Sequence, residues 1–146
     1  MEYVLGFYFS TDRERVALIR KKRGPKVVQG RLNGLGGKVE DSDDSNKAAM
    51  SREFLEEGGV AVKEWDCFGV LCFDGVLVHL FRARQPASWL ADSAETAPRT
   101  TTDEEVSWYP VSDLPNDVVQ NLHWLIPMAL LGPEGLFASF ANVKEG

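Results

Sequence analysis

The stretch REFLEEGGV, residues 52–60, limits the possible folds of this chain more than any other. It opens with strong helix formers and ends at Gly58-Gly59, a pair that stops a helix. On a helix, Glu53, Glu56 and Glu57 fall within a sector about 100° wide. Like charges at that spacing cost roughly 0.2–0.5 kcal/mol per pair, and carboxylates near a helix C-terminus also oppose its dipole. The acidic face is therefore either a solvated helix end or a face completed by a cation. The helix is expected over 45–57, behind the N-cap candidates of DSDDSN (41–46), with Ala48, Met50, Ser51, Phe54 and Leu55 available for a buried side.

The remaining chain reads mainly as strands. YVLGFYF (3–9) and VALIRKK (16–22) form an expected hairpin around STDRER. Residues 23–31 read as a loop, and LNGLGGKVE (32–40) as short strands flanking a tight bend. Two apolar segments, 66–73 and 75–84, read as strands around a turn at Asp74-Gly75. A polar loop over 86–104 leads to a strand at 106–110. DVVQNLHWLIPMALL (117–131) reads as a helix that Pro127 kinks or shortens. LFASFANV suits a last strand. Neither an internal repeat nor a linker divides the chain, so one mixed α+β domain over residues 1–146 is expected.

The net charge of −6 argues against a nucleic-acid polymer held on a broad basic surface. It leaves room for a small anionic ligand, because nine of the sixteen Lys and Arg residues lie in the first 38 positions. Most of these belong to a solvated hairpin; a few suit phosphate. Cys67 and Cys72 read as buried free thiols, and His79 and His123 are too far apart in sequence to suggest a metal pair. MEYVLGFYFS lacks the basic start of a signal peptide, and the apolar runs are too short to span a membrane. A cytoplasmic enzyme or binding protein is expected.

Three glutamates on one helical face suit a hard divalent cation, Mg²⁺ or Mn²⁺, which removes their mutual repulsion and pairs them with phosphate oxygens. Arg52 stands four residues before Glu56, within reach of an ion pair.

With LGGKVE ahead of it, this region resembles the Nudix hydrolases, whose signature is G-x5-E-x7-R-E-U-x-E-E-x-G-U. Gly37 opens the match, and Arg52, Glu53, Phe54, Glu56, Glu57, Gly59 and Val60 complete it. The segment from Gly37 to Arg52 is one residue longer than the pattern, with Asp43 or Asp44 in place of the middle Glu. The resemblance implies an α/β/α sandwich with a mixed β-sheet and Mg²⁺-dependent hydrolysis of a nucleoside diphosphate linked to another group. It implies Glu53, Glu56, Glu57 and the Gly37 carbonyl as metal ligands. It makes Glu56 the group that orients or deprotonates water, and Arg52 the group that orients a glutamate. Glu104, in preference to Glu105, is expected as a further carboxylate from the loop before the Trp108 strand.

RKKRG followed by GRLNGLGGKVE is similar to MutT-type enzymes acting on oxidised purine nucleoside triphosphates such as 8-oxo-dGTP. That likeness gives Asn33 a base-reading role, the alternative being service to the turn before Gly34. Asn121, ahead of Gln120 and Trp124, is the candidate for a second base contact, and Trp124 is expected in the core. Phe7 and Tyr8 lie where the family builds its base pocket, with strand alternation sending one of them inward. Lys38 and Arg23 complete the expected substrate contacts. CFDGVLV carries neither the Pro of ADP-sugar hydrolases nor the Tyr of dinucleoside polyphosphate hydrolases. The expected partner is a small nucleotide cleaved to a monophosphate and pyrophosphate by a monomer or homodimer. Alternatives are ADP-ribose or dinucleoside polyphosphate hydrolysis, or a nucleotide-sensing module without catalysis.

Overall fold

Apolar and aromatic residues run from Tyr3 to Phe9 with only Gly6 among them, and positions of both alternating sets are buried, so both faces of the sheet must be covered. A computed structural model describes residues 1–86, 95–131 and the backbone of 138–141. In chain order the elements are β1 (Glu2–Phe9), β2 (Arg15–Arg20), β3 (Leu32–Asn33), β4 (Leu35–Lys38), α1 (Asn46–Gly58), β5 (Asp66–Phe73), β6 (Val76–Arg84), β7 (Val106–Pro110), α2 (Leu122–Leu131) and β8 (Ala138–Ala141). The strands join in one mixed sheet, ordered β3-β2-β1-β6-β5-β8, with β4 on β1 and β7 on β2. β1–β6 and β5–β8 are parallel; the other strand pairs are antiparallel.

The two faces carry separate cores. Val4, Tyr8, Ala17, Ile19 and Leu35 pack with Ala49, Met50 and Phe54 of α1. Phe7, Phe9, Val16, Leu18 and Leu32 pack with Leu122, Leu125, Ile126 and Ala129 of α2. The result is an α/β/α sandwich, the architecture that the Nudix resemblance implied. Phe7 and Tyr8 both point inward, one to each layer, instead of one inward and one outward, because helices cover both faces.

β1 and β2 meet at Phe9 and Val16, close to their turn. Farther along, β3 pairs with Ile19 and Arg20 of β2, while β4 pairs with Tyr3–Gly6 of β1. Residues 32–38 thus cross from one strand of the hairpin to the other. This crossing sets Gly36 and Gly37 beneath α1.

Three expectations need correction. α2 begins at Leu122, since residues 117–119 run beside β3: Leu32 donates to the Asp117 carbonyl at 3.1 Å and accepts from Val119 N at 2.8 Å. Pro127 lies inside this shortened helix, which runs on to Leu131. Leu55 of α1 is 52% exposed, and Trp124 of α2 is exposed instead of lying in the core. The buried stripes are Ala49, Met50, Phe54 and Gly58 on α1 and Leu122, Leu125, Ile126 and Ala129 on α2, from which Leu55 and Trp124 are rotated away. Asp74 and Gly75 both take positive φ, forming the expected β5–β6 turn. Cys67 and Cys72 are free, half-buried thiols. Of the polar loop expected over 86–104, residues 87–94 lie outside the described residues, as do 136–137 and 142–143 of the expected last strand. No helix among the described residues is long and apolar enough to cross a membrane.

Candidate functional site

Capping fixes the acidic helix at both ends. Ser45 is extended and its hydroxyl accepts from Ala48 N at 3.0 Å. Gly59, at φ 74°, closes the C-terminus by donating to Leu55 O. The exposed carbonyls of the last turn are then taken up by the loop before β7. Arg99 N donates to Gly58 O at 2.9 Å, and the Thr101 hydroxyl donates to Glu56 O. These bonds carry residues 103–105 to the acidic face.

Each carboxylate of that face has a partner within the protein. Arg52 donates from Nη1 to Glu53 at 3.0 Å and to Glu56 at 3.3 Å. Its other edge holds Asp43 through two bonds of 2.8 and 2.9 Å, which settles Asp43 over Asp44 as the acid of the loop. Glu57 accepts from Gly36 N at 3.0 Å. Gly37 backs onto Glu53 so closely that a Cβ there would stand 2.6 Å from the carboxyl carbon. Glu104 is buried, whereas Glu105 is exposed. Glu104 accepts from Lys22 N at 2.7 Å, Lys21 Nζ at 3.2 Å and Arg23 N at 3.3 Å.

The electrostatics follow from this packing. Burial pushes the Glu57 carboxyl up to about 7; the Gly36 N–H and Lys21 oppose the shift, and the Glu53 and Glu104 charges add to it. Burial also raises Glu53, against the pull of Arg52. Burial alone would raise Glu104, but the Lys22 N–H and the Lys21 ammonium outweigh it and hold the carboxyl below its ordinary range.

The Glu57 shift makes a stability prediction. Its carboxyl ionises near its ordinary 4.5 when unfolded and at about 7 when folded. The folded state therefore holds the proton more tightly over that interval. The stability this contributes is fully present below the unfolded value and is lost as pH rises through the folded one. A shift of that size corresponds to about 3 kcal/mol. The denaturant midpoint of the metal-free protein is expected to fall between about pH 5 and pH 8. Glu57→Gln, which keeps an oxygen for Gly36 N, should flatten that fall. An equal fall in both proteins would remove Glu57 as its source.

Among the described residues, no three Asp, Glu, His or Cys side chains already converge as a metal cage. The donors nevertheless fit a hard divalent cation. They are carboxylates and a glycine carbonyl, set close enough for Glu53 and Glu104 to disfavour the charge on Glu57. Glu53 and Glu56 lean on one Arg52 nitrogen, and a cation would replace that nitrogen as their partner.

The expected base-reading residues are less closely grouped. Asn33 lies on β3 opposite Ile19, and its Oδ1 accepts from Gly34 N at 2.9 Å. Asn121 precedes α2, and its Oδ1 is buried without a partner among the described residues. Phe7 is wholly buried against Phe68, so it meets the α2-side core rather than an open surface. Lys38 is exposed beside the glycines, and Arg23 is held by two bonds to Asp103 at 2.9 and 3.0 Å. A cleft of about 420 Å³ beside Phe9, Arg82 and Arg84 contains none of these residues.

Lys21 joins the site although it was not among the expected site residues. The signal was present in the strand period: Ala17 and Ile19 face α1, and Lys21 is two residues farther on.

A family model described as NUDIX domain matches residues 3–127. An oxidized purine nucleoside triphosphate hydrolase of Danio rerio is 33% identical over 107 residues, covering 69% of this chain and 62% of that protein. Its counterpart in Mus musculus is 32% identical over 108 residues, covering 70% of this chain and 62% of that protein. The chain thus spans less than two thirds of the length of both relatives. A MutT NUDIX hydrolase structure from Burkholderia pseudomallei superposes with a TM-score of 0.65 at 24% identity, covering 87% of this chain and 97% of that one.

Proposed function

The chain belongs to the NUDIX domain family, and on that premise we propose that it hydrolyses a nucleoside triphosphate to the monophosphate and pyrophosphate with Mg²⁺ (Mn²⁺ as a substitute), preferring an oxidised purine dNTP. The observation that carries this reading is the acidic face of α1 set against the Gly36-Gly37 backbone, with Glu57 held up to about 7. The two relatives that act on oxidised purine nucleoside triphosphates support the substrate class.

Glu53, Glu56, Glu57 and the Gly37 carbonyl would hold the cation, with Glu104 from the loop. When bound, it supplies charge neutralisation for the polyphosphate, polarisation of a P–O bond and acidification of water. Glu56, the exposed glutamate of the set, orients and deprotonates the attacking water. The water oxygen bonds to phosphorus, the bridging P–O bond breaks, and the bridging oxygen keeps the electron pair. Arg52 holds Glu53 and Glu56 on the side of the helix that faces the substrate. Lys38 and Arg23 meet phosphate. Arg23 would first leave Asp103, its partner in a solvent-screened pair at the surface.

Asn33 spends its oxygen on Gly34 N, which leaves its amide N–H groups for an acceptor on the base. Asn121 offers a buried oxygen suited to a base N–H. Asn33→Ala is expected to change the ratio of kcat/KM between oxidised and normal purine dNTPs by about tenfold. An unchanged ratio would leave Asn33 a turn residue alone.

The deciding experiment measures pyrophosphate and phosphate release over oxidised and normal dNTPs, ADP-ribose and dinucleoside polyphosphates with Mg²⁺. Fastest turnover of an oxidised purine dNTP is expected. Fastest turnover of ADP-ribose or a dinucleoside polyphosphate would replace the substrate class. Tight binding with no turnover would make the chain a sensing module.

A further inference from the structure

The surplus residue between Gly37 and Arg52 and the short acid within that segment meet in one contact. Arg52 turns one edge of its guanidinium to Asp43, with Nε at 2.8 Å from Oδ1 and Nη2 at 2.9 Å from Oδ2. Nη2 also donates to Lys38 O at 3.2 Å, which ties the backbone beyond Gly37 to the helix. The Asp43 side chain is 5% exposed. It is fixed from its other side as well: its Oδ2 accepts from Glu40 N at 2.8 Å, and its own N donates to Glu40 O at 3.0 Å. With that edge occupied, only Nη1 faces the glutamates, at 3.0 Å from Glu53 and 3.3 Å from Glu56.

A guanidinium carries its donors in a rigid fork, and its side-on, two-bond pairing with a carboxylate is its strongest mode. Released from Asp43, Arg52 would offer that mode to Glu53 or Glu56 and compete with any cation for them. We propose that Asp43 is a positioning residue that occupies one edge of Arg52, so that Glu53 and Glu56 are held by a single nitrogen and remain available to a divalent cation. Asp is one methylene shorter than Glu, and the extra loop residue supplies the missing reach. The length of the loop and the identity of its acid are therefore a matched pair.

This inference rests on Glu53, Glu56 and Glu57 being cation ligands, and its test separates the two ideas. Mn²⁺ binding without nucleotide is measured by electron paramagnetic resonance, beside the melting temperature, for wild type, Asp43→Asn, Asp43→Glu and Asp43→Glu with Asp44 deleted. Asp43→Asn is expected to weaken Mn²⁺ binding about tenfold or more, as loss of the partner behind a metal ligand does. Asp43→Glu alone is expected to weaken it too, and deletion of Asp44 to restore it. That rescue is beyond a merely structural role for the bridge, and it decides the matter even where Asp43→Asn does not fold. Wild-type affinity in folded Asp43→Asn, or no rescue by the deletion, would overturn the proposal alone. No Mn²⁺ binding by the wild-type protein would remove the ligand reading and this inference with it.

Discussion

Glu56→Gln is expected to lower kcat by about two to four orders of magnitude, the span typical of a lost general base, with little change in KM. The fold should be untouched, and magnitudes say why. Glu56 is 56% exposed, and its ion pair with Arg52 spans an i,i+4 helical step. Such a pair is worth about 0.3–0.5 kcal/mol. Its loss is offset by removing an anion from the last turns of a helix, a gain of about 0.3–1 kcal/mol. The net change in stability should fall within about 0.5 kcal/mol, as for most surface substitutions. A denaturation curve and initial rates with Mg²⁺ on the best substrate of the nucleotide panel check both halves. A rate within about threefold of wild type would take Glu56 out of the mechanism.

The contrast with Glu57 separates the carboxylates by environment rather than by type. Glu57 is half-buried, bonded to Gly36 N, and feels the charges of Glu53 and Glu104, so its replacement is expected to alter stability as well as rate. Glu56 faces solvent, which leaves it open to water. One helical turn therefore presents a carboxylate anchored on backbone, Glu57, and an exposed one, Glu56, whose partner is the Arg52 nitrogen that also holds Glu53.

Local pattern made most elements readable. β1, β5, β6, β7 and α1 lie within about two residues of where propensity, glycines and caps set them, the ordinary margin for element ends. What escaped was set by partners distant in sequence. α2 starts late because residues 117–119 follow Leu32, some eighty-five positions earlier. Phe7 and Tyr8 are both buried because a helix lies over each face, whereas the alternation rule that sends one inward assumes a sheet covered on one side. The same holds at the site. The acidic face of α1 stands in five consecutive residues, Glu53 to Glu57, whereas the bonds that Glu104 accepts from residues 21–23 cross about eighty residues. Asp43 was in view as a departure from a pattern; its grip on Arg52 required the folded loop.

Gly36 and Gly37 are adjacent, yet alanine at the two positions is expected to fail in opposite ways. At Gly36 an added Cβ would stand 2.0 Å from Val4 O and 2.8 Å from Val4 C. Both are backbone atoms of the paired strand β1, where Leu5 faces Gly36 and Val4 faces Gly37. Backbone held in a sheet cannot yield to one methyl, so β4 must move away from β1 and take the Gly36 N–H from Glu57. Gly36→Ala is expected to destabilise the protein by about 3 kcal/mol or more, the upper end for overpacking. At Gly37 the Cβ would meet the Glu53 carboxyl group at 2.6–2.8 Å. That group is the far end of a flexible side chain, and a rotamer change relieves the clash at a cost of about 1 kcal/mol. Gly37→Ala is therefore expected to fold almost as wild type, while kcat falls by about a hundredfold because Glu53 has been turned from its position. Urea denaturation and steady-state rates on the pair check this. Equal stability losses at the two positions would mean that the Glu53 carboxyl is as fixed as backbone. Full activity in Gly37→Ala would mean that its place against Gly37 does not matter to the reaction.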